Sequence, residues 1–310
     1  MKEFDLINLL TPGLPHNASV VVGAGDDCAV LDAGVPGQWQ LFKTDAIVEG
    51  IHFAIDTPPE KIGHKALARC LSDIAAMAGT PTSALVTIGL PREFDAGRIR
   101  RIYEGMNTLA VRHGVAIVGG ETTTCPERMF LSLAVLGTVA RDRCPLRSGA
   151  KPGDAIFVTG ELGGSLAGRH LEFEPRLAEA RWLVEHFKLH ALMDVSDGLA
   201  GDLRHILNAS RVGAELMARA VPVSRAARLQ ARAESSAKPP LLAALTDGED
   251  FELLFTVAPR AAVPLLDAWR RKFPGVKLGC IGRIMAGHGL RLRDQEGVRE
   301  LTLHGYVHFA

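Results

Sequence analysis

The sequence lacks most features that mark secreted, membrane-bound or nucleic-acid-binding proteins. Its 5 cysteines are scattered and form no CxxC pair, so we expect reduced thiols and a cytoplasmic location rather than a disulfide scaffold. The 35 basic and 35 acidic residues balance, which leaves no excess charge for binding nucleic acid. No apolar run is long enough to span a bilayer, and the first residues lack the pattern of a signal peptide.

Well-known catalytic motifs are missing too. The sequence contains no zinc-protease, EF-hand, nucleophile-elbow or protein-kinase motif. The glycine-rich turn Gly160–Gly168 lacks the Lys-Ser/Thr ending of a Walker P-loop, so it is only a weak sign of a phosphate site. Any chemistry must therefore come from other residues.

The sequence does contain enough apolar residues for large cores, arranged in alternating strands and helices. With 310 residues and 47% hydrophobic content, one large or two medium domains are expected. The turn-rich segment Arg147–Asp154 is typical of an interdomain connection. We therefore predict a protein of the α/β (α+β) class with domains at residues 1–140 and 148–310.

Carboxylates recur at strand ends, at turns and at one helix edge. Adjacent aspartates repel one another unless a cation lies between them. Oxygen ligands without clustered His or Cys favour Mg²⁺ over Zn²⁺, and several such ions among acids can hold the phosphates of a nucleotide. The residues alone predict a multi-Mg²⁺ enzyme that acts on phosphates. The acids are Asp26, Asp27, Asp45, Asp73, Glu121, Asp194 and Asp197.

Local explanations for some of these acids remain open. The pair Asp26-Asp27 could be a solvated acidic turn. Asp73 lies at the edge of the apolar stripe of a helix predicted over residues 60–79, where a salt bridge to Arg69 or Lys65 is the local alternative.

Further along the chain, two acids are predicted next to regular elements. The local alternative for Asp197 is the N-cap of a helix that starts near residues 196–197. Glu121 is expected in a loop, after a buried strand over residues 115–118 and the pair Gly119-Gly120.

The acids lie in stretches that resemble the thiamine-monophosphate kinase family, a member of the aminoimidazole-ribonucleotide-synthetase-like superfamily. These stretches span almost the whole chain in the family's order. They are Gly25–Ala29, Thr44–Asp45, Gly50–Phe53, Lys65–Ala68, Leu71–Met77, Gly119–Thr123, Arg147–Asp154, Asp194–Leu199 and Gly248–Leu253.

The resemblance implies a fold, a reaction and partners. An N-terminal α/β domain would pair across a homodimer into a barrel, and a C-terminal α/β domain would follow it. The reaction would use ATP and Mg²⁺ to convert thiamine monophosphate into thiamine diphosphate. Two rival interpretations stay open: a related ATP-dependent enzyme with another small phosphorylated acceptor, and a non-catalytic nucleotide-binding scaffold.

The resemblance also implies roles for single residues. The Mg²⁺ ligands would be Asp27, Thr44, Asp45, Asp73, Glu121, Asp194 and Asp197, and Asp27, Asp45, Asp194 and Asp197 would act in catalysis together with Arg147. The residues around the nucleotide would be Tyr103, Gly120, Glu121, Arg147 and Ser196. The residues around the thiamine moiety would be His52, Glu249 and Tyr306.

The sequence departs from the family pattern in a few places. Glu121 stands where the family usually has the shorter Asp. Lys43 stands where the family commonly has Ser, so its ammonium group is expected in the metal site, either near a metal or at a phosphate. Residues 168–176 are shortened, and this segment belongs to the substrate side.

Overall fold

The structure is a computed structural model that describes residues 3–233, 238–303 and 305–306. The chain folds into two compact units, each built around one β-sheet. The six-stranded unit comprises Ser19–Cys144 and Gly168–Leu177, and the seven-stranded unit comprises the described parts of Met1–Ala18, Pro145–Ala167 and Ala178–Ala310. The predicted domain boundaries stay a prediction, and the short segments at 1–18 and 168–177 belong to a different unit from their neighbours in sequence.

Helices and strands alternate through much of the described chain. The helices are α1 Glu3–Leu10, α2 Pro59–Ala76, α3 Ala96–His113, α4 Leu177–His186, α5 Leu199–Ser210, α6 Arg225–Ala233, α7 Pro240–Thr246 and α8 Pro259–Lys272. The strands are β1 Val20–Val22, β2 Ala29–Leu31, β3 Gln38–Val48, β4 Thr80–Leu90, β5 Ala116–Thr124, β6 Phe130–Ala140, β7 Ala155–Thr159, β8 Leu189–Asp194, β9 Gly213–Met217, β10 Leu253–Val257, β11 Leu278–Met285, β12 Leu290–Asp294 and β13 Gly297–Glu300. No described helix is both long enough and apolar enough to cross a membrane.

The six-stranded unit is a sheet with helices on one face. Its strand order is β1-β2-β3-β6-β4-β5, and only the β4–β5 pair is parallel. Side chains alternate across a strand, so Leu41 and Ile47 are buried on the face that α2 covers. The opposite face leaves Phe42, Leu85 and Val118 from 45% to 63% exposed.

Helices α2 and α3 cross with their backbones almost in contact. A Cβ atom built on Gly63 would lie 1.8 Å from the carbonyl oxygen of Ile102, and one on Gly105 would lie 2.0 Å from that of Glu60. Only glycine permits such an approach. The crossing fixes α2, which carries Asp73, against the sheet.

Two strands differ from the sequence prediction. The apolar run predicts a strand over residues 40–42, but strand β3 continues to Val48 because it pairs with β6 along its whole length, so Asp45 lies inside the strand rather than after it. Strand β5 is an exposed edge strand rather than a buried one. It runs through Gly119-Gly120 because parallel pairing with β4 continues there, and Glu121 therefore lies within the strand, opposite Thr87.

The seven-stranded unit has the strand order β13-β12-β9-β11-β7-β10-β8, with only β12–β9 parallel. Its core contains the buried, stacked rings of Phe157 and Phe255, whose centroids are 5.5 Å apart. A turn and strand are also predicted over 305–309, of which 307–309 lie outside the described residues. The same holds for residues 234–237 of the helix and loop predicted over 224–240.

Candidate functional site

The six-stranded unit brings two buried carboxylates together. Asp27 lies in the turn before β2 and is 2% exposed, and Asp73 lies near the end of α2 and is 8% exposed. One carboxylate oxygen of each lies within 4.8 Å of the other. Carboxylates this close and this buried require nearby positive charge.

Two basic side chains supply such charge from neighbouring elements. The Lys43 ammonium, from β3, lies 2.9 Å from Asp73 Oδ1. The Arg69 Nε, from α2, lies 3.0 Å from Asp45 Oδ2. Burial of Lys43 opposes its charge, but the Asp73 and Asp45 carboxylates outweigh burial and raise the pKa of Lys43 above its usual range. At least part of the positive charge beside Asp73 therefore comes from Lys43 of the adjacent strand.

The turn after β3 holds His52 through contacts at both its ring and its backbone. Its Nδ1 accepts a hydrogen bond from the Val48 backbone N–H at 3.1 Å. Its carbonyl accepts one from the buried Lys65 Nζ at 2.6 Å, and Lys65 Nζ also donates to His170 Nδ1 at 2.7 Å. Lys65 therefore joins the His52 turn to the segment Gly168–Leu177.

The seven-stranded unit places its acids around the start of α5. Asp194 is the last residue of β8, and Ser196 and Asp197 follow it. The helix begins at Leu199 with Gly198 at the cap position and no side-chain cap bond, which excludes an N-cap role as the local alternative for Asp197.

A buried acid supports this turn from inside the helix. Asp202 Oδ2 accepts hydrogen bonds from the backbone N–H groups of Asp197, at 3.1 Å, and Gly198, at 3.0 Å. Burial, followed by the charges of Asp197 and Asp194, raises the pKa of Asp202 well above its usual value. Asp202 was not predicted from sequence, because an acid in a helix first turn is ordinary there.

Two other predicted residues of this unit, Glu249 and Tyr306, are hydrogen-bonded to the same turn through their backbones. The backbone N–H of Glu249 donates to Ser196 O at 2.6 Å, and that of Tyr306 donates to Asp197 O at 2.8 Å. Glu249 has φ 53°, a conformation that favours glycine and costs a residue with a side chain about 1–2 kcal/mol. Ser196, Asp197, Glu249 and Tyr306 are therefore adjacent through their backbones.

The loop that carries Arg147 is fixed by one serine. Ser210 Oγ accepts hydrogen bonds from the backbone N–H groups of Gly149 and Ala150, each at 3.1 Å, and donates to Arg147 O at 3.3 Å. Sequence reasoning missed Ser210, which lies at the end of α5, far along the chain from the loop.

The glycine-rich turn is not built to hold a phosphate. The Gly163 N–H donates to both carboxylate oxygens of Asp250, at 3.0 and 2.9 Å, and the Gly164 N–H donates to Asp247 at 3.1 Å. These amides are occupied by carboxylates of the same unit, which fixes the turn against the 247–250 loop.

Comparison with known proteins identifies the family. The family described as AIR synthase related protein, N-terminal domain, matches residues 25–139. The thiamine-monophosphate kinase of Rhodopirellula baltica is 43% identical over 298 residues, which cover 93% of this chain and 92% of that protein. The chain belongs to the thiamine-monophosphate kinase family. The thiamine-monophosphate kinase of Bacillus subtilis is 39% identical, and the match covers 100% of this chain and 100% of that protein.

A solved structure of a family member shows the same fold. The structure described as AaThiL complexed with AMPPCP and TMP has a TM-score of 0.80 and 30% sequence identity, and the match covers 99% of this chain and 97% of that one. The family resemblance and the α/β fold of the aminoimidazole-ribonucleotide-synthetase-like superfamily, both predicted from sequence, are confirmed.

Two of the predicted metal ligands, Thr44 and Glu121, lie on the opposite face of the six-stranded sheet from Lys43 and Asp45. Thr44 lies on the opposite face of β3 from Lys43 and Asp45. Glu121 pairs with Thr87, on the outer face of the sheet, next to Gly120, which pairs with Val86. The metal role of Thr44 and Glu121 stays a prediction.

Tyr103 lies on α3, which packs on α2. Burial raises the pKa of its phenol. No hydrogen bond between described residues joins Tyr103 to the acids of the six-stranded unit. Its nucleotide role also stays a prediction.

Proposed function

We propose that this protein transfers the γ-phosphoryl group of ATP to thiamine monophosphate and releases thiamine diphosphate and ADP. The proposal rests on the similarity, over nearly the full length, to a family structure complexed with AMPPCP and TMP. Similarity to curated thiamine-monophosphate kinases over 93% of the chain supports it. The acids and Arg147 described above supply the required chemistry.

The proposed mechanism relies on alignment and charge rather than on a general base. The accepting phosphate oxygen is already ionised at neutral pH, so no side chain needs to remove a proton from it. Catalysis then consists of holding the two phosphates in line and neutralising their charge. Arg147 would bind the nucleotide phosphates, and its loop is held by Ser210.

The donor set fits Mg²⁺. The buried carboxylates of Asp27 and Asp73 and the carboxylate of Asp45 offer the oxygen ligands that Mg²⁺ prefers. We propose the same role for Asp194 and Asp197 of the seven-stranded unit. When bound, Mg²⁺ would neutralise phosphate charge. We assign the thiamine moiety to His52, Glu249 and Tyr306, because a carboxylate and an aromatic ring suit a cationic heteroaromatic ring.

Product formation across a panel of acceptors tests the function. We expect thiamine diphosphate to form only with ATP, Mg²⁺ and thiamine monophosphate, and other small phosphorylated acceptors to react much more slowly. Faster turnover of another acceptor would favour a related superfamily enzyme. Tight ATP binding without any acceptor-dependent ADP release would favour a non-catalytic scaffold.

Single-atom changes test the metal ligands. Asp45→Asn and Asp194→Asn should each abolish activity while the circular dichroism spectrum stays unchanged, because a neutral amide binds Mg²⁺ poorly. Glu104→Gln on α3, where the acid is 55% exposed, is the control and should stay active. Full activity of either Asn variant across a Mg²⁺ titration would remove the assignment.

We also propose that the outer face of the six-stranded sheet forms the homodimer, as the barrel implied by the family requires. Phe42, Leu85 and Val118 expose large apolar side chains on that face, which is unusual for a surface in contact with water. Leu85→Lys should shift the protein to a monomer in light scattering at micromolar concentration. Val111→Lys, on an 82% exposed helix position, should not. A monomeric parent protein would contradict the proposal.

A cytoplasmic location is proposed from the thiols. All five cysteines are free, as expected in a reducing compartment. Fractionation of cells that express the tagged full chain should recover it with cytoplasmic markers, and recovery in a periplasmic or membrane fraction would contradict this.

A further inference from the structure

We propose that the Lys43 ammonium is a built-in cation that takes the place of one divalent ion at the Asp27–Asp73 carboxylates. This inference rests on the proposed Mg²⁺ chemistry of the same site. It concerns the number of metal ions that the chain binds, and it assigns Lys43 to the metal position rather than to a phosphate.

The ammonium lies against one of the two neighbouring carboxylates. Lys43 Nζ lies 2.9 Å from Asp73 Oδ1, and one oxygen of Asp73 lies within 4.8 Å of one oxygen of Asp27. The two carboxylates therefore lie near enough to share one cation, and the lysine ammonium already contacts Asp73.

The strand holds the lysine in this place. Lys43 projects from the same face of β3 as the buried Leu41 and Ile47, and its side chain is only 23% exposed. A lysine that binds a phosphate needs its ammonium directed toward the ligand, whereas this one is engaged with a buried carboxylate. Lysine carries a single fixed charge, so it balances one carboxylate and supplies no open coordination position.

The consequence is a smaller metal requirement. If the ammonium is replaced by a short hydroxyl, the Asp73 carboxylate loses its ion pair with Lys43, and space opens beside it. The repulsion between the Asp27 and Asp73 carboxylates then favours uptake of a divalent ion. The parent chain should bind fewer divalent ions than a variant with Ser at this position.

Manganese counting tests the inference without using turnover. Free Mn²⁺ is measured by electron paramagnetic resonance while the full chain, saturated with AMPPCP, is titrated with MnCl₂. Lys43→Ser should bind one more Mn²⁺ per chain than the parent, and Lys43→Arg, which keeps a cation, should bind the same number as the parent. Lys61→Ser, which removes an exposed lysine paired with Glu172, is the matched control and should not change the count.

Thermal unfolding gives a second readout. In EDTA, Lys43→Ser should melt below the parent, and Mn²⁺ should raise its melting temperature more than it raises that of the parent. If Lys43→Ser does not fold, Lys43→Gln is the second variant and should take up the same extra ion.

An unchanged Mn²⁺ count in both neutral variants would overturn the inference, and weaker AMPPCP binding alongside it would assign Lys43 to a phosphate instead. Failure of thiamine monophosphate turnover with a changed count would contradict the proposed function and leave this inference standing.

Discussion

The close crossing of α2 and α3 leads to a prediction about Gly105. Gly105→Ala adds a Cβ that would lie 2.0 Å from Glu60 O and 2.6 Å from Glu60 Cα. Carbon atoms in favourable contact are about 3.5–4.0 Å apart, and both neighbours are backbone atoms that no rotamer change can move. The helices must therefore separate, and α2 would move together with Asp73 and Lys65.

The expected cost follows from two opposing effects. Overpacking that shifts backbone costs about 3 kcal/mol, at the upper end of the usual range. Replacing a mid-helix glycine by alanine returns about 1 kcal/mol through helix propensity. The net loss in the free energy of unfolding is about 2 kcal/mol, which corresponds to a fall in melting temperature of roughly 3 °C for a chain of this length.

Differential scanning calorimetry and urea unfolding measure this loss. Asn107→Ala is the control, because Asn107 lies on an exposed position of the same helix and the substitution gains about 0.5 kcal/mol of helix propensity. Gly105→Ala should also lose part of its activity, whereas Asn107→Ala should not. A Gly105→Ala protein as stable as the parent would refute the close crossing.

Substitutions at three further positions test the roles of single side chains. Lys65→Met removes the Lys65 donor to the His52 carbonyl, a loss of about 1–3 kcal/mol in the stability of that turn, so KM for thiamine monophosphate should rise about tenfold while KM for ATP stays the same. Lys272→Met, at an exposed position at the end of α8, is the control, and an unchanged KM for thiamine monophosphate would contradict the role of Lys65. Ser210→Ala removes the hydroxyl that fixes the Arg147 loop, so KM for ATP should rise in steady-state kinetics. Equal KM values for ATP in the variant and the parent would show that the loop keeps its conformation without Ser210. Glu121→Asp should keep turnover and Glu121→Gln should lose most of it, and equal activity of the Gln variant across a Mg²⁺ titration would exclude a carboxylate role.

Regular elements were predictable where periodicity was strong. The helix expected over 60–79 is α2, at Pro59–Ala76, because apolar residues recur at helical spacing and glycine and proline follow. The exposed strand β5 was mistaken for a buried one, because a short apolar run looks the same in either setting. Its continuation through Gly119-Gly120 depends on pairing with β4, which lies more than thirty positions earlier, and no local pattern reports that pairing.

The acids were predictable, but their partners were not. The local alternative to a metal role for Asp73 is a salt bridge to Arg69 or Lys65 on the same helix. The structure instead brings Lys43 from β3 to Asp73 and pairs Arg69 with Asp45. Such pairs depend on how the helix packs on the sheet, which the order of residues along one element cannot reveal.

Transfer of a label shows whether the phosphoryl group passes directly from one phosphate to the other. The purified full chain is incubated with ATP labelled in its γ-phosphate, Mg²⁺ and thiamine monophosphate, and the products are separated. We expect the label in the terminal phosphate of thiamine diphosphate, in amounts equal to the ADP released. Label recovered only in inorganic phosphate, or ADP release that does not depend on thiamine monophosphate, would contradict direct transfer.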